Sequence, residues 1–233
     1  PYVKTYVDER ELTVLFLLDL SASMDGGFGV WSARETAARV IACLAFSAVR
    51  NGDKVGLITF SDEVETYVRP KKGVNQALRV VRDCLALPAS GTRTSLTPAL
   101  DVATGTVRRH ATVFVLSDFL TEGWERALSQ CARRHDTIAV RLLGPELELP
   151  RVGLLEVRDP ESGRAAVIDT SSARVRRAFS DRVRGWREAS DRAFTKARVD
   201  VMDVPLPMRR EAEAVARPIL RFFRMREQRG LKR

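Results

Sequence analysis

Hydrophobic positions along this chain switch repeatedly between two periods, and each switch marks an element. Thr13 to Leu18 (TVLFLL) is a continuous apolar run closing on Asp19, as expected of a central parallel strand covered on both faces. Ala37, Val40, Ile41, Leu44, Ala45 and Ala48 then recur at helical spacing until the turn signal Asn51-Gly52-Asp53. Val55 to Phe60 (VGLITF) predicts a second strand, and Glu63 to Val68 a short alternating edge strand closed by Pro70. Helical spacing returns from Gln76 to Leu87 and again after Thr94, with Pro98 suited to a first turn. Thr112 to Leu116 predicts a third buried strand, Trp124 to Arg134 a helix, and Thr137 to Leu143 a fourth strand.

Parallel neighbours need a crossover that packs on the sheet face, so strands alternating with helices of these lengths predict an α/β fold. The expected architecture is a doubly wound, mostly parallel sheet flanked by helices. Pro145 to Pro150 (PELELP) marks a boundary. Beyond it, Leu154 to Val157 and Ala165 to Ile168 suggest a small hairpin around Pro160-Glu161-Ser162-Gly163. A long helix follows through Val175, Phe179, Val183, Trp186 and Phe194, then a strand from Val199 to Val204. A final helix carries Ala212, Val215, Ala216, Ile219, Leu220 and Phe223, bent or broken at Pro218. The expected organisation is a lead-in over 1–12, a core over 13–150, and a C-terminal α/β extension over 151–233 packed on the core.

Composition narrows the function classes. At 233 residues and 45% apolar content the chain can bury a large core. The run Val14 to Leu18 is far too short to span a bilayer, and no export signal opens the sequence, so a soluble cytoplasmic protein is expected. Cys43, Cys84 and Cys131 are widely spaced and read as buried thiols; two histidines leave little for imidazole chemistry. The net charge of +9 is concentrated from Arg174 to Arg233, where 18 basic residues face 8 acidic ones. Arg210, Arg217, Arg221 and Arg224 share one helical face, which could lie on nucleic acid, an anionic membrane or an acidic protein.

Ligands of open parallel sheets bind beyond the carboxyl ends of the strands. Three segments meet that description: Asp19-Leu20-Ser21-Ala22-Ser23, Ser117-Asp118, and the loop Gly91-Thr92-Arg93-Thr94. Together they offer two carboxylates and several hydroxyls, a hard-oxygen set suited to Mg²⁺ or Mn²⁺. The same DxSxS string also makes helix caps and Asx-turns.

With Asp19, Ser21 and Ser23 after a buried strand, Thr94 in the second loop and Asp118 in the third, the sequence resembles a von Willebrand factor A domain with a metal-ion-dependent adhesion site. It is similar, more narrowly, to the domain of unknown function 58 family of prokaryotic proteins. Pro1 to Lys4, Glu9 to Leu12, Asp19 to Met24, Asn51 to Gly56, Pro70 to Gly73, Thr94 to Leu100, Ser117 to Phe119, Asp159 to Gly163 and Asp169-Thr170 carry that resemblance, in order, over essentially the whole chain. It implies a metal held by Asp19, Ser21, Ser23, Thr94 and Asp118, with Thr92 as the competitor of Thr94. Two features depart from the family: Asp25 to Trp31 is glycine-rich and expected to be mobile, and the chain opens without methionine, as a fragment would.

In the resembled domains an open position on the metal accepts a carboxylate from another protein, which implies binding rather than turnover. The loops supply no recognisable His, Glu or Lys base, no GxxxxGK[ST] loop and no GxSxG elbow, so no enzyme is expected. The family resemblance further implies a partnership with MoxR-type AAA+ ATPases, as an adaptor gripping the ATPase or a client protein. The alternative is a basic scaffold acting through its C-terminal helices; a metal-dependent hydrolase is a more distant one. Trp124 and Trp186 are expected to pack in the core or a groove, and His135 to cap a helix end.

Overall fold

The computed structural model describes residues 11–26, 29–88, 93–159, 161, 163–211 and 213–230. Most of the lead-in, Gly91 and Thr92 of the second loop, Pro160 and Ser162 of the hairpin turn, and Ala212 lie outside them.

Six strands form one sheet in the order β3-β2-β1-β4-β5-β8: β1 (Thr13–Asp19), β2 (Lys54–Phe60), β3 (Val64–Lys71), β4 (Thr112–Ser117), β5 (Asp136–Leu143) and β8 (Asp200–Pro205). All neighbours are parallel except β3, which runs antiparallel to β2 at one edge. The expected doubly wound, mostly parallel α/β class is the one found. The segment after residue 150 supplies β8, which pairs with β5 from Ile138↔Asp200 to Leu143↔Pro205. A separate antiparallel hairpin pairs β6 (Leu154–Arg158) with β7 (Ala165–Asp169).

The alternation of side chains along β1 divides the core. Phe16 and Leu18 face α2 (Ala33–Arg50), α3 (Val74–Ala86) and α7 (Ala216–Gly230), whereas Leu15 and Leu17 face α4 (Thr97–Thr106), α5 (Glu125–Arg134) and α6 (Ala173–Ala197). Each such leucine, fully removed from water, contributes about 1.5–3 kcal/mol. At the start of α2, Ser32 and Glu35 form a reciprocal capping box that fixes its entry.

Several local expectations are corrected. The β3 edge continues past Pro70 to Lys71, because Pro70 sits on an edge beside a register shift and faces Gly56. A Cβ at Gly56 would lie 2.8 Å from Pro70 Cγ and 2.9 Å from the Val68 carbonyl, so only glycine permits that approach. Pro218 neither bends nor breaks α7; it is the third residue of the helix, where an amide has no intrahelical partner to lose. Cys84 and Cys131 are buried but Cys43 is exposed. Gly27 and Phe28 of the glycine-rich stretch lie outside the described residues, so its expected mobility is not corrected; of the rest, Val30 is tied by its amide to the Pro207 carbonyl at 2.9 Å, and the Arg39 guanidinium stacks 3.9 Å from the Trp31 ring centre. His135 ends α5, yet neither ring nitrogen has a hydrogen-bond partner, so it performs no capping through its side chain. Burial, with Arg134 and His110 nearby, holds its ionisation below the usual histidine range.

Much of the basic tail is engaged structurally. Arg226 on α7 bridges Asp136 at 2.7 Å and Asp200 at 3.1 Å, and Arg229 also reaches Asp200 at 2.9 Å. Arg141 on β5, almost wholly buried, pairs with Asp203 and Asp191 and donates to Ser190 Oγ, locking α6 to the sheet. No helix among the described residues is long and apolar enough to cross a membrane.

Candidate metal centre

β1 and β4 are adjacent and parallel, with Leu18 opposite Leu116, so both chains leave the sheet at the same end. From β1 the chain passes through the short helix α1 (Ala22–Asp25) to α2 on one face; from β4 it passes to α5 on the other. That divergence is a topological switch point and opens a crevice between the two strand ends.

Asp19 and Asp118 stand in this crevice. The Asp19 side chain is fully buried; its Oδ1 accepts the Ser21 amide at 2.9 Å and its Oδ2 accepts the Ser117 hydroxyl at 2.6 Å. Burial, reinforced by the charge of Asp118, pushes the Asp19 carboxyl up to about 7. Ser21 Oγ and Ser23 Oγ lie 3.2 Å apart, and the Ser23 hydroxyl favours the ionised form of Asp118. Asp118 Oδ1 also accepts the Leu120 amide at 3.0 Å. Burial raises the Asp118 carboxyl above the ordinary range against these hydrogen bonds, with help from the charges of Glu161 and Glu146.

The backbone at this turn is strained. Phe119 has a φ of 56°, in a region that bulky residues rarely occupy, at a cost of about 1–3 kcal/mol. Its surroundings hold it there: its amide donates to Ser117 Oγ, its carbonyl accepts the Trp186 indole N–H at 2.8 Å, and its ring packs edge-on against Trp124 and Phe194. Trp124 and Trp186 thus do the packing expected of them, and their packing sets the direction in which Asp118 leaves the strand.

Thr94 faces the same crevice from the loop before α4. With Ser23 and Asp118 it lines a cavity of about 570 Å³ that also includes Glu146, Glu156 and Glu161. Its hydroxyl donates to Glu161 Oε1 at 2.7 Å, and its carbonyl accepts the Thr121 hydroxyl at 3.1 Å. The structure therefore joins Asp19, Ser21, Ser23 and Asp118 through hydrogen bonds and charge, and sets Thr94 in the same cavity but bonded to the hairpin. Thr92 lies outside the described residues.

Thr121, Glu146 and Glu161 are site residues that sequence reasoning did not single out, and Ser117, named there only as part of a strand-end segment, orients Asp19. The three loops themselves supply no glutamate; Glu146, Glu156 and Glu161 come from beyond residue 143 and reach the crevice by tertiary packing.

The donors present fit a small divalent cation. No group of three or more His, Cys, Asp or Glu side chains is gathered to hold a metal among the described residues. The available set is two carboxylates supplemented by neutral hydroxyls, all hard oxygen, with room for water.

These features define a class: a doubly wound α/β domain whose polar crevice lies at the switch point of the sheet. The chain belongs to the DUF58 family, described as proteins of unknown function, whose model matches residues 1–189. It is 30% identical over 167 residues to uncharacterized proteins of Mycobacterium tuberculosis and Mycobacterium bovis, 70% of this chain and 53% of each relative. The chain thus spans about half the length of the curated relatives it matches. Among solved structures it is similar to the conserved hypothetical protein BatB from Bacteroides thetaiotaomicron, with TM-score 0.57 and 18% identity, covering 91% of this chain and 99% of that one. An aerotolerance-related membrane protein from Bacteroides fragilis overlays with TM-score 0.56 and 17% identity over the same shares. At these identities the likeness is one of fold.

Proposed function

We propose that the chain is a protein-binding module that grips a partner's carboxylate through a divalent cation, Mg²⁺ or Mn²⁺, held by Asp19, Ser21, Ser23, Thr94 and Asp118. One observation carries the reading. Asp19 is fully withdrawn from water at the switch point, half-buried Asp118 stands near it and its charge raises the proton affinity of Asp19, and neither forms an ion pair among the described residues. A fully buried carboxylate beside a second, partly buried one is costly as two anions and is relieved by a cation between them. Because the remaining donors are neutral, the ion keeps much of its positive charge and attracts an acidic visitor.

In this reading the chain's own residues bind and orient. Ser117 and the Ser21 amide fix the Asp19 carboxylate, the Leu120 amide fixes Asp118, and Trp124 and Trp186 hold the turn between Ser117 and Leu120. The cation, when bound, supplies an electrophilic coordination position. The partner we infer, a MoxR-type AAA+ ATPase or its client in the cytoplasm, rests on the family resemblance; the need for a carboxylate rests on the chemistry of the site. No turnover is part of the proposal.

The test is capture of the AAA+ partner by wild type and Asp19→Ala, each with Mg²⁺ and with chelator. Capture only by wild type with Mg²⁺ is expected; equal capture in all four conditions by folded proteins sinks the reading. Binding that ignores Mg²⁺ and weakens steeply with salt would instead favour the basic face of α7, where Arg217, Arg221 and Arg224 border a shallow groove. Mg²⁺-dependent ester or phosphate hydrolysis abolished in Asp19→Ala would favour the hydrolase.

A further inference from the structure

The β6–β7 hairpin is a minimal sheet, with Leu154 and Val167 largely exposed and no strand beyond either partner among the described residues. What it does supply to the core is chemistry at its turn. The Asp159 carboxylate accepts the Glu161 amide at 3.0 Å, Gly163 adopts a φ of 69° that glycine permits, and its amide closes on the Asp159 carbonyl at 2.8 Å. The turn so formed carries Glu161 to the crevice, where its Oε1 lies 2.7 Å from Thr94 Oγ1.

That distance is informative. Neighbouring oxygens around an octahedral ion with bonds of about 2.0–2.1 Å stand about 2.9 Å apart. Ser21 Oγ and Ser23 Oγ, at 3.2 Å, and Thr94 Oγ1 and Glu161 Oε1, at 2.7 Å, both have nearly this spacing. Glu161 also acts electrostatically on Asp118. Among the residues lining the cavity, Arg158 is the one base set against Asp118, Glu146, Glu156, Asp159 and Glu161. Glu161 thus brings a carboxylate of the chain itself within hydrogen-bond reach of a hydroxyl of the site.

We propose that Glu161 is a built-in acidic ligand of the cation, occupying from within the chain the position a partner's carboxylate would take. This rests on the cation reading above. The hairpin then serves as a tethered competitor: it closes on the loaded site, and a partner must lift it away to bind. Because the hairpin is held to the chain at both ends, its carboxylate acts at high local concentration, and only a partner with further contacts displaces it.

The experiment uses Mn²⁺ as the probe on the whole chain, with affinity and coordinated-water number read by paramagnetic relaxation and hairpin protection read by hydrogen exchange. Wild type, Glu161→Gln, Glu161→Asp and Asp19→Ala are compared. Mn²⁺ is expected to slow exchange across Leu154–Arg158 and Ala165–Asp169 in wild type. Both Glu161 variants should lose that protection, gain one water on the ion and bind it roughly tenfold or more weakly. Glu161→Asp retains the charge but shortens the reach, so wild-type affinity and protection in Glu161→Asp would reduce Glu161 to a distant charge and overturn the proposal. Mn²⁺ binding that depends on Asp19 but is indifferent to both Glu161 changes refutes the built-in ligand alone. Absence of Asp19-dependent Mn²⁺ binding refutes the cation reading beneath it.

Discussion

Asp19 offers the most demanding test, because without a cation its carboxyl is held near 7 while in the unfolded chain it ionises near 3.8. Between those values the unfolded state binds fewer protons than the native state, so stability falls as pH rises from about 4 to about 7 and the loss levels off above. A difference of about three pH units corresponds to roughly 4 kcal/mol against the native state at pH 8. Asp19→Asn removes that burden. It also turns an amide N–H₂ towards Ser117, whose hydroxyl then loses its acceptor, giving back about 1 kcal/mol. In chelator at pH 8, urea unfolding should therefore find Asp19→Asn more stable than wild type by about 3 kcal/mol. At pH 5 most of that advantage should disappear. Mg²⁺ should reverse the order at pH 8, stabilising wild type and leaving the variant unmoved. A variant that is no more stable than wild type in chelator at pH 8, or a gap that does not change with pH, would falsify the claim that Asp19 is buried without a compensating positive charge.

Other expectations follow from contacts away from and around the crevice. Gly56→Ala forces a methyl onto Pro70 and the Val68 carbonyl and should destabilise by about 1–3 kcal/mol in urea unfolding, with Mn²⁺ affinity unchanged. Arg141→Ala should cost about 3 kcal/mol by the same measurement, and Arg141→Met should recover part of it, since the buried guanidinium is packed over Trp186 and Phe194 as well as paired. Ser117→Ala removes the hydroxyl that orients Asp19 and should weaken Mg²⁺ binding by roughly tenfold in calorimetry. Arg226→Ala should speed hydrogen exchange in α7 while changing global stability by no more than about 1 kcal/mol, a difference that fades at high salt.

The parts of this molecule that were legible in its sequence are those encoded locally. The run ending in Asp19 and the switch to helical spacing after Ala37 place a strand and its crossover, and chain order then puts Asp19 and Asp118 at neighbouring strand ends. What escaped is set by contacts between distant segments. Nothing in the string around Glu161 reveals that its turn will settle against Thr94, because that depends on how the hairpin docks. The positive charge after Arg174 could not be divided into structural and free arginines until Asp136 and Asp200 were found beneath Arg226 and Arg229. Pro218 misled because a proline in the first turn of a helix and one in its middle look alike until the start of the helix is known.

The position of β8 bears on how the chain is made. The sheet's last strand lies far along the sequence from its neighbour β5, with the hairpin and the whole of α6 between them. During synthesis the first five strands emerge and can assemble while the flank of β5 still displays a row of open amides and carbonyls. Such a flank invites pairing with another nascent chain. Prompt arrival of α6 and β8, or a chaperone shielding β5 until they come, would decide between productive folding and aggregation on the ribosome.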